Sequence, residues 1–479
     1  MTIDQNLIAK IAAEVMARVQ ARQPETASGG AGIFQTVDEA VAAARAAQKQ
    51  LKKLTIEKRE ELIKAMRQAA CDNAVLLAEM GVSESGMGRV SDKVIKNRLA
   101  ATKTPGTEDL KSEAWSGDRG LTLIEMGPYG VIGSITPTTN PSETVICNGI
   151  GMIAAGNAVV FSPHPTAKDT SLVTIKLLNE AIIKAGGPPN LLTAVAEPSL
   201  AATNAMMQHP DINMLVATGG PAVVKAVMSC GKKAIGAGAG NPPAVVDETA
   251  DIEKAAKDII DGCSFDNNLP CIAEKEVIVV GSVADKLMAY MQRYGAYLIS
   301  GPDVDRLANV ILTEKAELAA AGCTEKPKKS YAVNKNYVGK DARYILSQIG
   351  IQVPDSIRAV ICETPAEHPF VVEELMMPVL PVVQVKDIDA AIELAVKVEH
   401  GNRHTAIMHS KNVDNLTKLA KAIETTIFVK NAPSYAGIGV GGEGFTTFTI
   451  AGPTGEGLTS PRSFTRQRRC VLVDALSIV

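Results

Sequence analysis

YGVIGSITPTTNPSETVICNGIGMIAAGNAVVFS, running from Tyr129 to Ser162, decides the fold class. Tyr129–Thr136 reads as a strand that ends in the loop Pro137–Pro141. Val145–Ala155 is helix-like, and Ala158–Ser162 (AVVFS) is a short apolar run of the kind found in buried strands. The same alternation continues outward. Leu191–Val195, Met214–Ala217 and Ala244–Val246 read as strands with helical patterns between them, and Leu121–Met126 precedes the block as a further strand. Upstream, Ile33 to about Leu110 is Ala-rich with apolar residues three and four apart. Downstream, strand candidates at Val277–Val280, Ala359–Cys362, Val379–Val385 and Thr405–Met408 form a second α/β block. Such alternation predicts parallel sheets with helices on both faces and ligands at the carboxyl ends of the strands.

Composition supports an α/β enzyme. The 479 residues are 46% apolar, 21% charged and 4% aromatic, with 39 glycines for tight strand-to-helix turns. A net charge of −3 gives no electrostatic case for nucleic acid or a membrane surface. The eight cysteines contain no CxxC pair, so neither a disulfide framework nor a zinc knuckle is expected, and a reducing cytoplasm fits better. His400, His404 and His409 lie near one another without metal-ligand spacing, and no metal is expected. The Gly-rich run Gly236–Gly240 (GAGAG) is followed by Asn-Pro-Pro-Ala-Val-Val, a strand entry, so it is rejected as a phosphate loop.

The front of the chain reads as a separate unit. Ile3, Leu7, Ile8, Ile11, Val15 and Val19 recur at helical spacing, and Thr2 with Gln5 has capping-box spacing. Charges interrupt this segment too often for it to span a bilayer. Residues 23–32 (QPETASGGAG) read as a flexible linker. The tethered helix either docks in a partner's groove or folds back on its own domain; a helix lying on a membrane surface is a third reading.

Three residues carry candidate chemistry. Cys271 lies in SFDNNLPCIAE (264–274), where a loop thiol beside backbone N–H groups can act as a nucleophile. Asn140 follows a strand in TPTTNP (136–141), where its amide can donate to an oxyanion. Glu374 precedes a buried strand in EELMMPV (373–379). Alone, each has a plainer reading: a small buried hydrophobe, an Asx-turn residue satisfying its own backbone, and a surface carboxylate.

Together, and in this order, they resemble the aldehyde dehydrogenase superfamily. The resemblance extends to its CoA-acylating branch in bacterial microcompartments, the propionaldehyde and acetaldehyde dehydrogenases of propanediol and ethanolamine utilisation. It covers nearly all of the chain from about residue 33. SESGMGR (83–89), GLTLIE (120–125), TPTTNP (136–141), GAGAGNPPAVVDETAD (236–251), SFDNN (264–268), EHPFVVEELMMPVLPVV (367–383) and GGEGFTT (441–447) carry it.

The resemblance implies an aldehyde dehydrogenase-like α/β fold. Residues 33–247 would form a Rossmann-type cofactor domain, interrupted by oligomerisation strands at about 112–128 and rejoined by 441–459. Residues 248–440 would form the catalytic domain and 460–479 a C-terminal oligomerisation strand. Asp118–Met126 and Phe464–Val473 would pair between subunits of a homodimer or homotetramer. The basic cluster Arg466, Arg468 and Arg469 is read as a solvated strand face or subunit contact.

The resemblance also assigns roles. Cys271 would be the nucleophile and Asn140, with the Cys271 N–H, the oxyanion holder. Glu374 would hold the nicotinamide ribose. Ile135, Thr136, Pro137, Thr138, Ser162, His164, Pro165, Thr218, Gly219, Gly220, Gly238 and Met376 would complete the cofactor groove, with NAD as the cofactor. Hydrolytic relatives carry a water-activating glutamate where Gly236–Gly240 has no carboxylate, Ala237 standing near that place. CoA is therefore the expected acyl acceptor. The segment SPHP (162–165) also lacks the lysine and glutamate that many hydrolytic relatives place on the adenosine ribose. Residues 1–22 would be a targeting helix that engages a microcompartment shell protein through residues 2–20. A hydrolytic dehydrogenase, an acyl-phosphate reductase and a non-catalytic shell-cargo scaffold are the competing readings.

Overall fold

A computed structural model describes residues 32–315 and 330–478. The expected targeting helix, and the linker as far as residue 31, lie outside the described residues. The first half of the chain contains β1 (Ile33–Phe34), β2 (Glu113–Gly117), β3 (Gly120–Pro128), β4 (Val131–Thr136), β5 (Ala158–Pro163), β6 (Leu192–Val195), β7 (Met214–Thr218) and β8 (Lys233–Ala237). The second half adds β9 (Pro243–Val246), β10 (Glu276–Val280), β11 (Ala296–Leu298), β12 (Leu312–Lys315), β13 (Ser330–Val333) and β14 (Ala359–Glu363). It continues with β15 (Val379–Val385), β16 (Thr405–His409), β17 (Ile427–Lys430), β18 (Ile450–Ala451), β19 (Gly457–Leu458) and β20 (Thr465–Val473).

The decisive stretch folds as a strand–helix–strand unit. All of β4 and β5 is buried, which is why both read as unbroken apolar runs. The helix between them, Pro141–Ala154, has proline in its first turn and is buried along its whole length. These strands belong to a parallel sheet ordered β1-β6-β5-β4-β7-β8. The chain moves outward from β4 through β5 and β6, then returns to the other side of β4. That reversal opens a crevice at the carboxyl ends of β4 and β7.

A second parallel sheet is ordered β11-β14-β15-β10-β9-β16-β17. Strand β9, interior to this sheet, falls before the boundary expected after residue 247. Pro243–Val246 pairs with β10 and β16 rather than with β8, so the chain changes sheets between Ala237 and Pro243. Closeness in sequence to β8 hides this change. The apolar run Ala244–Val246 needs cover on both faces and flanking strands on both sides, and only the second sheet supplies them.

Two arms return to each other. β3 is the middle strand of a three-stranded antiparallel sheet between β2 and β20, and the β20 register runs from Thr465↔Pro128 to Val473↔Gly120. β3 and β20, expected to pair between subunits, thus pair within one chain. Beyond Thr465, β20 is exposed on both faces. The β18–β19 hairpin packs back on the first sheet, with Thr449 Oγ1 2.8 Å from Thr218 Oγ1 and Thr454 Oγ1 accepting the Gly236 N–H at 3.1 Å. Among the described residues, no helix is long and apolar enough to cross a membrane.

Candidate active site

The loop before Cys271 is built against backbone preference. Asp266, Asn267 and Asn268 all hold left-handed φ angles, 48°, 54° and 66°. An L residue pays roughly 1–2 kcal/mol for such a conformation, and Asp and Asn tolerate it best. Side-chain bonds fix each of the three. Asp266 Oδ1 accepts the Arg89 N–H at 2.8 Å, and its own N–H donates to Asp92 Oδ2 at 2.9 Å. Asn267 accepts from Arg89 Nε at 2.8 Å and donates to the Gly339 carbonyl at 2.9 Å. Asn268 donates to the carbonyls of Cys263 and Glu274, both at 2.9 Å. Lys275 Nζ clamps Asn268 in turn, at 2.9 Å to its carbonyl and 2.6 Å to Oδ1. The polar string SFDNN is thus the hinge that delivers Cys271 to the entrance of β10.

Cys271 keeps partial exposure. Burial pushes its thiol up to about 12; Glu374 adds to that rise, while Lys275 and Lys96 oppose it. The resting Cys271 side chain is therefore a protonated thiol at neutral pH.

Asn140 precedes the Pro141–Ala154 helix, yet its side chain makes no cap on that helix. The Asx-turn reading is thereby excluded. Its Oδ1 instead accepts from Lys96 Nζ at 2.5 Å, and its Nδ2 reaches Thr139 Oγ1 at 3.2 Å. Lys96 Nζ also lies 2.6 Å from Asp266 Oδ2 and 3.1 Å from Glu143 Oε1. Lys93 Nζ joins Asp266 Oδ2 at 3.0 Å and the Thr139 carbonyl at 3.0 Å. Burial alone would lower Lys96, but Asp266 and Glu143 outweigh it and hold the ammonium above its ordinary range. Asp266 is likewise held low by Lys96 and Lys93 against the effect of its burial. The Asn140 turn and the Cys271 loop meet across this cluster.

Glu374 and His404 approach Cys271 from the second sheet. The Gly240 N–H points to Glu374 Oε1 at 3.4 Å. A Cβ at Gly240 would stand 2.8 Å from the Cys271 carbonyl oxygen and 2.9 Å from His404 Cγ. The last glycine of GAGAG therefore serves close approach. His404 is 1% exposed, with Nδ1 2.9 Å from Thr405 Oγ1 and Nε2 unpartnered. Burial lowers it to about 4, so the imidazole is neutral at neutral pH.

The strand-end residues gather where the sheet reverses. Ile135, Thr136, Pro137 and Thr138 end β4, with Ser162, His164 and Pro165 beside them after β5. Thr138 and His164 both bond Thr166 Oγ1, at 2.9 and 2.8 Å, and Ser162 bonds Thr203 at 2.8 Å. Thr218, Gly219 and Gly220 end β7 on the other side and lead into the Pro221–Met228 helix. Gly238 follows β8, with room limited by Pro453. Glu374 and Met376 come from the segment before β15 and lie by Gly240 and Gly339, respectively.

This crevice suits a dinucleotide. Thr136 Oγ1 is buried there without a partner, and space beside Gly220 is open. The N–H groups that open the following helix can receive a phosphate.

Lys93, Lys96, Asp266, Lys275 and His404 were missed as a group by sequence reasoning. One signal was available: Lys93, Lys96, Asn97 and Ala100 share one face of the Val90–Lys103 helix, and that face is buried while Ile95 is 45% exposed. The helix is inverted relative to an ordinary amphipathic one.

A parallel sheet that reverses beside β4, joined to a second sheet that Cys271 enters through a left-handed loop, is the frame of an oxidoreductase acting on aldehydes. The chain belongs to the aldehyde dehydrogenase family, whose model matches residues 17–448. A CoA-propanoylating propanal dehydrogenase of Salmonella typhimurium is 52% identical over 94% of this chain and 94% of its own length. The structure of Rhodopseudomonas palustris propionaldehyde dehydrogenase with bound CoA and an acylated cysteine is 57% identical, with a TM-score of 0.89 over 94% of this chain and 100% of that one. A propionaldehyde dehydrogenase from the Clostridium phytofermentans fucose utilisation bacterial microcompartment is 55% identical, with a TM-score of 0.89 and the same coverage.

Proposed function

We propose that this chain oxidises a short aldehyde, propionaldehyde or acetaldehyde, to its CoA thioester through Cys271, with NAD as electron acceptor. The observation that carries the reading is the meeting of the Cys271 loop with an Asn140 amide whose oxygen is already taken by Lys96. Ile135–Thr138, Ser162–Pro165 and Thr218–Gly220 would hold the dinucleotide, with Gly238 and Met376 at its margin and Glu374 on the nicotinamide ribose. When bound, the nicotinamide supplies the hydride acceptor.

Cys271 Sγ gives up its proton to solvent water and attacks the aldehyde carbon. The carbonyl oxygen gains the displaced electron pair as an oxyanion, met by Asn140 Nδ2 and the Cys271 N–H. One such donor typically contributes about 3 kcal/mol to the barrier. Loss of hydride from the same carbon leaves a thioester on Cys271. Gly236–Gly240 offers no carboxylate to activate water against it. A CoA thiol then attacks the thioester carbon, and its proton passes to the Cys271 thiolate as that sulfur leaves.

The microcompartment lumen is the proposed location, with residues 2–20 engaging a shell protein. The context of the Clostridium phytofermentans relative supports it. Deletion of residues 1–22 should leave activity intact and abolish co-assembly with shell protein; unchanged co-assembly would reject the assignment. A homodimer or homotetramer built on the arms is supported by apolar side chains on β20, Val471 and Val473, that are 56% and 67% exposed.

The enzymatic test is reduced-cofactor formation from propionaldehyde and NAD, with and without CoA, with product analysis. Turnover that requires CoA and yields propionyl-CoA is expected. Equal turnover to propionate without CoA would show a hydrolytic enzyme. A C271A variant that retains turnover would remove Cys271 from the chemistry.

A further inference from the structure

Lys96 is fully buried and its charge has polar neighbours: Asn140 Oδ1, Asp266 Oδ2 and Glu143 Oε1 lie 2.5, 2.6 and 3.1 Å from Nζ, with the Phe448 ring 5.9 Å away. Asn140 Oδ1 and Asp266 Oδ2 each accept an ammonium hydrogen, and Glu143 Oε1 adds a close counter-charge; an ammonium has donors and no acceptor. An amide next to it has two orientations, and one of them would point N–H groups at N–H groups. Asn140 therefore turns its oxygen to Lys96 and its nitrogen away. Of the two Nδ2 hydrogens, one is engaged by Thr139 Oγ1 and the other has no protein partner among the described residues. Asp266, which anchors Lys96, is also the first of the left-handed residues that deliver Cys271.

From this geometry we infer that Lys96 is the positioning residue of the oxyanion site: it fixes Asn140 so that Nδ2, not Oδ1, faces the carbon bound to Cys271. The inference deepens the reading of Asn140 as the oxyanion donor and rests on it. Lys96 acts through Asn140 and touches no substrate. Its removal frees the amide to rotate, and a rotated amide presents a lone pair to a developing negative charge.

The test is a kinetic cycle with propionaldehyde, NAD and CoA on K96M, N140A and K96M/N140A, with thermal melts on each. Loss of an oxyanion donor lowers kcat about 100- to 1,000-fold, and loss of its orientation should lower kcat by about 10-fold or more. We expect K96M to show that loss with the KM for propionaldehyde little changed, and to cost less than about 2-fold further in the N140A background, as for groups that act as a unit. K96Q, whose amide still donates to Oδ1, should recover part of the K96M loss. N140A at full activity would overturn the oxyanion reading and this inference together. N140A inactive with K96M fully active, or losses that multiply, would overturn this inference alone. If K96M does not fold, K96M/D266N, which removes a counter-charge with the ammonium, is read in the same two Asn140 backgrounds. A loss there that vanishes in N140A supports the inference; one that multiplies, or no loss at all, overturns it.

Discussion

Gly240 donates its backbone N–H to Glu374 Oε1 at 3.4 Å, and a Cβ on this glycine would collide with the Cys271 carbonyl oxygen 2.8 Å away. The glycine is thus the contact point between the nucleophile's backbone and the carboxylate that opposes its ionisation. G240A should push both the Cys271 turn and the His404 ring. Overpacking of this kind costs about 1–3 kcal/mol, and displacing the nucleophile should lower kcat by about 100-fold. Thermal melts and steady-state kinetics check it; a variant with normal kcat would show that the turn yields freely.

Glu374 raises the Cys271 thiol, after burial itself. E374Q removes that negative charge, so the thiol should ionise at lower pH. Well below its pKa, a thiol gains about tenfold in thiolate fraction when that pKa falls by about one. Iodoacetamide should therefore alkylate Cys271 several-fold faster in E374Q than in the parent, while turnover falls through loss of the proposed ribose contact. Alkylation at the parent rate would separate Glu374 from the thiol.

Asp266 pairs with two buried ammonium groups at once, Lys93 and Lys96, the second of which also faces Glu143. D266A leaves Lys93 and Lys96 facing each other without it and releases a bond that holds the left-handed loop. Removing one partner of a buried pair typically costs about 3–5 kcal/mol. The melting temperature should drop by several degrees, and Cys271 alkylation should become heterogeneous as the loop loosens. A melt unchanged from the parent would show that water or a neighbour replaces the carboxylate.

Glu274 is buried against Ser434, whose N–H and hydroxyl it accepts at 2.8 and 2.7 Å. Burial nevertheless raises its carboxyl to about 7. An acid raised on folding favours the folded state most below its unfolded value near 4.5, and that advantage is lost as pH rises towards 7. E274Q should match the parent near pH 4 and be relatively more stable at pH 8, by roughly 1–3 kcal/mol. Denaturant titrations at the two pH values measure the difference; equal stability gaps at both would reject a raised carboxyl.

Much of the site was legible as residue types in order. Cys271, Asn140 and Glu374 stand out because each lies in a Pro- or Asn-containing segment next to a buried strand, Asn140 after β4, Cys271 before β10 and Glu374 before β15. Strands β4, β5, β7 and β15 were legible for a related reason: runs buried on both faces admit few polar residues. Strand β8 was not, because the Lys-Ala-Ile-Gly-Ala of 233–237 is too small and glycine-rich to read as a core strand.

The sequence by itself determined the alternating α/β architecture, the candidate cysteine with its Asn-rich loop, and the absence of a carboxylate at 236–240. Tertiary structure alone decided that β9 crosses to the second sheet, that Lys96 holds Asn140, and that His404 reaches the Cys271 turn across Gly240. Periodicity reports which residues share a face of an element. It does not report what that face meets. For the Val90–Lys103 helix, the charged face is buried because Asp266 and Glu143, distant in sequence, arrive to compensate it, and that pairing exists only once the two sheets have closed around it.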